Sequence, residues 1–308
     1  MNFKKAISYV KKLPKNSISI FLFHGIIDSH FKSKTITNYN NKHIQAKDFR
    51  YFLRDISKIS DPISMDEVYE ITKEKKKLNS KKFAVTFDDG FENNLSIATP
   101  ILKKFKIPYT IYITTKFIEN NFMSWIDTID YAIDKTKRKN LKIPGFKKKF
   151  LINSRSKKIL ILNKIRSYVK SNKKVDPYKF SKQICDHLSI NKFPRNNVIY
   201  KKLSWKQIKM LFKNNLCIIG GHSHSHKILG YLSNSELKYE VEKSCKLIRK
   251  NLGFKIEHYS YPEGFKKSFS KKVISLLKKN NIKCCPTALN GYNNEKSNPF
   301  LLKRLVID

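Results

Sequence analysis

Three of the eight histidines in this chain fall within five residues, in Ile218-Ile219-Gly220-Gly221-His222-Ser223-His224-Ser225-His226. Neutral imidazole is the commonest side-chain metal ligand, and a Gly pair behind an apolar run lets the backbone turn into a site. If the segment turns helically, His222 and His226 converge on one ion; if it continues as a strand, all three share a face at period two. The spacing does not choose between these, and a solvent-exposed polar loop is the plainer alternative. A second segment, Phe83-Ala84-Val85-Thr86-Phe87-Asp88-Asp89-Gly90-Phe91, ends an apolar run in two adjacent carboxylates and a glycine. One such carboxylate can grip a cation while the other, its charge moderated by that cation, accepts a proton. The same three residues also suit a turn with a helix cap. Two His and one Asp together would leave coordination positions open for water and substrate.

The elements that must carry these residues alternate. Ile18 to Phe23, Phe83 to Phe87, Tyr109 to Thr114, Leu216 to Ile219 and His258 to Tyr261 read as buried parallel strands, rich in β-branched and aromatic residues. Between them Ala46 to Ile59, Pro100 to Phe105, Ser204 to Lys213, Ser233 to Leu252 and Ser268 to Lys279 carry apolar residues at three-and-four spacing, several behind a Ser or Asp cap. The pattern predicts an α/β fold with a parallel sheet or barrel, whose strand C-termini hold the active site. Residues 136–200 break the rhythm: Lys-rich, helix-like over Lys157 to Tyr168 and Tyr178 to Leu188, without an evident strand. They read as a helical insertion within one domain spanning residues 1–308. Trp125-Ile126-Asp127 either borders the cleft or starts a helix.

Thr86-Phe87-Asp88-Asp89-Gly90 and His222-Ser223-His224-Ser225-His226 resemble the first two motifs of the polysaccharide deacetylases, the NodB-homology or carbohydrate esterase family 4 enzymes. Tyr259-Ser260-Tyr261-Pro262-Glu263-Gly264 resembles the third, and Phe21-Leu22-Phe23-His24-Gly25 resembles the N-terminal Tyr/Phe-His motif of the circularly permuted branch. The four occur in the expected order from residue 21 to about 264. The resemblance implies a deformed (β/α) barrel and a metal-dependent hydrolase removing N-acetyl groups from amino-sugar units of a polysaccharide or surface-glycan precursor. It implies Asp89, His222 and His226 as ligands of a divalent ion, Zn2+ by expectation, with Asp88 as catalytic base and His24 as catalytic acid. Tyr261, Pro262 and Glu263 would contact substrate, with a backbone N–H near Pro262-Glu263 facing the oxyanion; His224 would point away or support the ligands. Phe91, Trp125, Tyr231 and Tyr261 are aromatics that stack on sugars or fill the core, and only Tyr261 sits in a motif. The third motif lacks the Arg that non-permuted members use to orient the catalytic Asp. Arg304, in the strand-like run Leu302 to Ile307, is the expected substitute.

Composition bounds the partners. Lys+Arg number 64 against 24 Asp+Glu, a formal net charge of +40. The lysines are spread in short runs along the whole chain with no aromatic-interleaved stripe, so no specific nucleic acid is expected, while peripheral contact with an anionic membrane is compatible with the charge. The alternatives are a hydrolase of another non-peptide C–N amide with the same metal site, and a basic glycan- or nucleic-acid-binding protein with a vestigial one. Five cysteines without CxxC spacing argue against a disulfide framework or a Cys-type zinc site. Lysines at positions 4, 5, 11, 12 and 15 interrupt any signal-peptide core, and no run approaches a membrane span, so the expected location is cytoplasmic, perhaps at the inner face of the membrane.

Overall fold

The apolar runs become the staves of a barrel. In the computed structural model, which describes residues 1–31 and 35–308, five strands lie parallel: Ile18–Phe23 (β1), Lys82–Asp89 (β2), Tyr109–Ile113 (β3), Cys217–Gly221 (β4) and Leu305–Val306 (β5). Their order is β5-β1-β2-β3-β4. Parallel strands covered on both faces need apolar residues along their whole length, and β1 and β3 are buried at every position. Beyond β4 the circle continues through single parallel bridges, Gly221 to Tyr259, His258 to Cys284 and Pro286 to Leu302. It closes where Leu305 pairs with Phe21. The result is the deformed (β/α) barrel that the motifs imply.

His258 to Tyr261, expected as a full strand, supplies bridges only. Tyr259 N–H donates to Cys284 and Ser260 N–H to Gly221, and then Pro262, which has no N–H, stops the ladder. Gly220 is required because the Tyr112 ring fills the barrel beside it: a Cβ there would lie 2.6 Å from Tyr112 Cδ1. Helices wrap the outside. Phe23 and Phe87 of β1 and β2 pack edge-on against Phe49 of the helix Ala46–Ile56. The serine caps read from the sequence form capping boxes at Ser204 with Gln207 and Ser233 with Glu236. Helices at Phe3–Lys12 and Met65–Glu74 were not expected.

The insertion and the helix that leads into it build their own core. Trp125–Lys135 (α1), Arg155–Ser171 (α2) and Pro177–Leu188 (α3) bury Ile129, Ile133, Ile161, Leu162, Ile165 and Ile184 against one another. Trp125 is buried at the start of α1, whose cap is Ser124, and Ser124 and Ile126 also line the cavity beside Asp88 and Asp89, so the segment both starts a helix and borders the cleft. The segment is not strand-free as expected: Asn140–Lys142 and Lys149–Leu151 pair as an antiparallel hairpin. Three-residue strands with lysines on their outer face are too short for a period-two signal.

Candidate metal centre and catalytic pair

The two aspartates at the end of β2 meet different cations. Asp88 is gripped on both oxygens by Arg304 of the stretch leading into β5, Nη1 to Oδ1 at 2.9 Å and Nη2 to Oδ2 at 2.8 Å. The guanidinium is fully buried and otherwise satisfied, donating to Thr287 O, Ser260 Oγ and Thr86 Oγ1. Bidentate pairing fixes orientation as well as charge. Burial alone would raise the Asp88 pKa, but Arg304 and then His222 outweigh it and hold the carboxyl below its ordinary value.

Asp89 has Oδ2 3.1 Å from Lys42 Nζ, which also reaches Asp127 Oδ1 at 3.2 Å. Behind them Lys202 Nζ lies 3.5 Å from Asp127 Oδ2 and 3.2 Å above the Phe91 ring. Burial opposes the charge on each aspartate, yet the lysines hold Asp127 down at about 2, and Lys42 with His226 keeps Asp89 well below the usual range. Lys202 goes the other way, pushed down to about 8 by burial despite Asp127. Asp89 Oδ1 is buried with no hydrogen-bond partner among the described residues. It faces His226 Nε2 at 3.3 Å and His222 Nε2 at 3.8 Å.

The histidines are held by the loop after β4. Glu240, buried on the helix Asn234–Leu252, accepts from Ser225 N–H at 2.7 Å and from Ser225 Oγ at 2.5 Å, and its carbonyl accepts from His224 N–H. Ser223 Oγ accepts from His226 N–H. His222 Nδ1 lies 2.9 Å from the Ser260 carbonyl, so it carries the proton and leaves the Nε2 lone pair toward Asp89. Asp89, Ser223, His226 and Glu263 all have positive φ, conformations uphill for residues with a Cβ that are often retained where a site demands them.

The donor atoms of Asp89, His222 and His226 lie within 4.8 Å of one another. A tetrahedral ion with bonds of about 2.1 Å asks for donors roughly 3.4 Å apart. One carboxylate with an orphaned oxygen and two imidazoles fits such an ion. His24 and Glu263 join them in lining a cavity of about 230 Å³. Burial pushes His24 down to about 4, partly offset by Asp89, so its imidazole is neutral at neutral pH.

Other expectations divide. His224 is turned aside, its Nδ1 2.9 Å from Thr115 Oγ1. The Tyr261 ring is fully buried with its hydroxyl on Phe300 O, which takes it out of sugar stacking. Phe91 is a core residue too, whereas Trp125, though buried, and Tyr231 both border a neighbouring cavity. Sequence reasoning missed Lys42, Lys202 and Glu240. Nothing local marks two lysines in a chain so rich in them, or one glutamate on a long helix.

Comparison with known proteins gives the family and the fold. A family model described as polysaccharide deacetylase matches residues 75–285. No curated protein matches the chain. Among solved structures, the deacetylase PplD of Streptococcus pyogenes in complex with acetate is similar at TM-score 0.60 and 17% identity, over 96% of this chain and 93% of that one. IcaB from Ammonifex degensii gives 0.58 and 16%, over 95% and 92%. The BpsB deacetylase domain from Bordetella bronchiseptica gives 0.55 and 14%, over 96% and 98%. At these identities the likeness to the solved structures is one of fold.

Proposed function

The chain belongs to the polysaccharide deacetylase family, and from that premise we propose that it hydrolyses the N-acetyl amide of amino-sugar units in a polysaccharide or surface-glycan precursor with the help of a divalent ion, zinc. The observation that carries this reading is Asp88, held on both oxygens by Arg304 while its Oδ2 lies 3.8 Å from His222 Nε2, on the edge of the Asp89, His222 and His226 cluster. Asp89, His222 and His226 would hold the ion, which when bound supplies Lewis acidity, polarising the amide carbonyl and lowering the pKa of water toward about 7.

Asp88 takes the proton of the attacking water. Arg304 keeps it ionised and pointed, and a positioned base contributes typically ~100- to 10,000-fold. The backbone N–H of Glu263, which meets no backbone acceptor among the described residues, is the donor for the developing oxyanion. His24 protonates the departing amine; because burial keeps it neutral in the free chain, its proton reaches it during turnover. Water's hydroxyl ends on the acyl carbon and its proton on nitrogen, so the products are acetate and a free amino sugar. The acetate found with the S. pyogenes relative is consistent with the group removed.

A single catalytic domain, the insertion being part of it, and a cytoplasmic site of work belong to the same proposal. Five free cysteines suit a reducing compartment. Among the described residues no helix is long and apolar enough to cross a membrane, and the basic surface suits peripheral contact with anionic lipid.

The test is acetate release from N-acetylglucosamine oligomers and lipid- or nucleotide-linked precursors, before and after chelation and with zinc restored. Release that disappears with the chelator and returns with zinc is the expected result. A zinc-loaded protein that releases acetate from none of them sinks the reading.

A further inference from the structure

Three polar ties bind the insertion to the catalytic loops. Lys170 Nζ on α2 lies 2.5 Å from Glu263 Oε2. The Tyr178 hydroxyl on α3 donates to Ser225 O at 2.7 Å, and Asp176, which caps α3, takes Lys227 Nζ at 2.8 Å. None of these ties lands at random on the barrel. Ser225 and Lys227 flank His226, and Glu263 follows Pro262 in the third motif. Arg166 and Lys170 of α2 also line the cavity that holds Asp88, Asp89 and His24.

Glu263 is the contact that needs an external partner most. Its backbone is left-handed, at φ 64°, and Gly264 follows at φ 62°, so the turn puts a bulky residue where glycine is preferred. Its side chain is only 10% exposed, and a buried carboxylate without a counter-charge is strongly disfavoured. The insertion supplies that counter-charge across more than ninety residues of sequence. Resting on the deacetylase reading above, we propose that Lys170 is a positioning residue: by holding Glu263 it fixes the Pro262-Glu263-Gly264 turn, and with it the Glu263 N–H that faces the reacting carbonyl. The insertion is then a working wall of the active site. Loss of the Lys170 tie acts on the chemical step and leaves metal binding alone, because Asp89, His222 and His226 are held from β2, Glu240 and Ser260 and the Tyr178 and Asp176 ties beside His226 stay in place.

The experiment uses the full chain with Lys170→Met, the milder Lys170→Gln, and Lys170→Arg as the conservative rescue. Hydrogen exchange of the segment 259–264 is read together with acetate release and zinc affinity by chelator competition. In Lys170→Met the segment exchanges ~10-fold faster or more, kcat falls ~10- to 100-fold with KM little changed, as expected for a misplaced oxyanion donor, and zinc affinity stays within about twofold. Lys170→Arg restores both exchange and kcat. Unchanged exchange over 259–264 in folded Lys170→Met and Lys170→Gln overturns the proposal, as does faster exchange with kcat intact. If wild-type protein releases no acetate from any substrate, the deacetylase reading falls, and the exchange result alone decides whether Lys170 holds the turn.

Discussion

Lysine behaves as two different residues in the two halves of this molecule. At the barrel mouth Lys202 is buried and Lys42 half-buried among Asp89, Asp127 and the Phe91 ring, each within 3.5 Å of a carboxylate. In the insertion, residues 136–200 hold nineteen Lys and Arg against two Asp, and Lys147, Lys148 and Lys149 stand exposed on the hairpin. Burial explains the difference. A desolvated charge is strongly disfavoured unless it is paired, so each mouth lysine is tied to one geometry, while a solvated lysine contributes ~0–1 kcal/mol wherever it sits. The same side chain is a structural element in one place and a coat in the other.

The contrast is open to breaking. Asp88→Asn keeps the size of the carboxylate while removing its basicity, and acetate release should fall ~100- to 10,000-fold with the fold intact. Near-wild-type turnover would show that the mouth's charge pattern does not carry the chemistry. Lys42→Met leaves Asp89 without its lysine and Asp127 with Lys202 alone, and denaturant titration should register a loss of ~3–5 kcal/mol, the usual cost of breaking a buried pair; a loss under ~1 kcal/mol would class Lys42 with the coat lysines.

Lys202 sharpens the comparison through pH. Its folded-state pKa, about 8, lies below the ordinary lysine value of 10.5. Between those limits the unfolded chain binds more protons, so this group's contribution to stability rises with pH, by at most ~1.4 kcal/mol per unit. Unfolding free energies from pH 7.5 to 10 should therefore show wild type gaining on Lys202→Met. A constant difference would mean that Lys202 titrates as a solvated lysine. The smallest effect is expected from the hairpin, where replacing Lys147, Lys148 and Lys149 together by Gln should change stability by no more than ~0.5 kcal/mol per site. A larger change would show that the hairpin charges are structural.

What the sequence revealed follows the same division. Asp88, Asp89, His222 and His226 were legible because chemistry-bearing residues sit in dense clusters behind apolar runs, and Arg304 because the family resemblance implies an Arg that the third motif lacks and a strand-like run could return one. Lys42, Lys202 and Glu240 were invisible since their partners lie in distant segments and their residue type is common here. Tyr261 misled: a motif aromatic pointed to ligand, but its ring completes the core. The helices Phe3–Lys12 and Met65–Glu74 were overlooked because their Lys- and Glu-rich outer faces dilute the apolar period that Ala6, Val10, Val68 and Ile71 carry.

Arg304 reaches Asp88 from beside the stave that closes the barrel, where Leu305 pairs with Phe21 across more than 280 residues of chain. Contacts so far apart in sequence form slowly, and until they do both edges of the sheet stay unpaired and adhesive. A chain caught before closure has Asp88 without its guanidinium and β1 paired on the β2 side only. The Arg304–Asp88 pair and the closed sheet edge thus depend on the same stretch of chain, so on the proposed role of Asp88 a lesion in β5 should show itself as insoluble protein at least as readily as a slow enzyme.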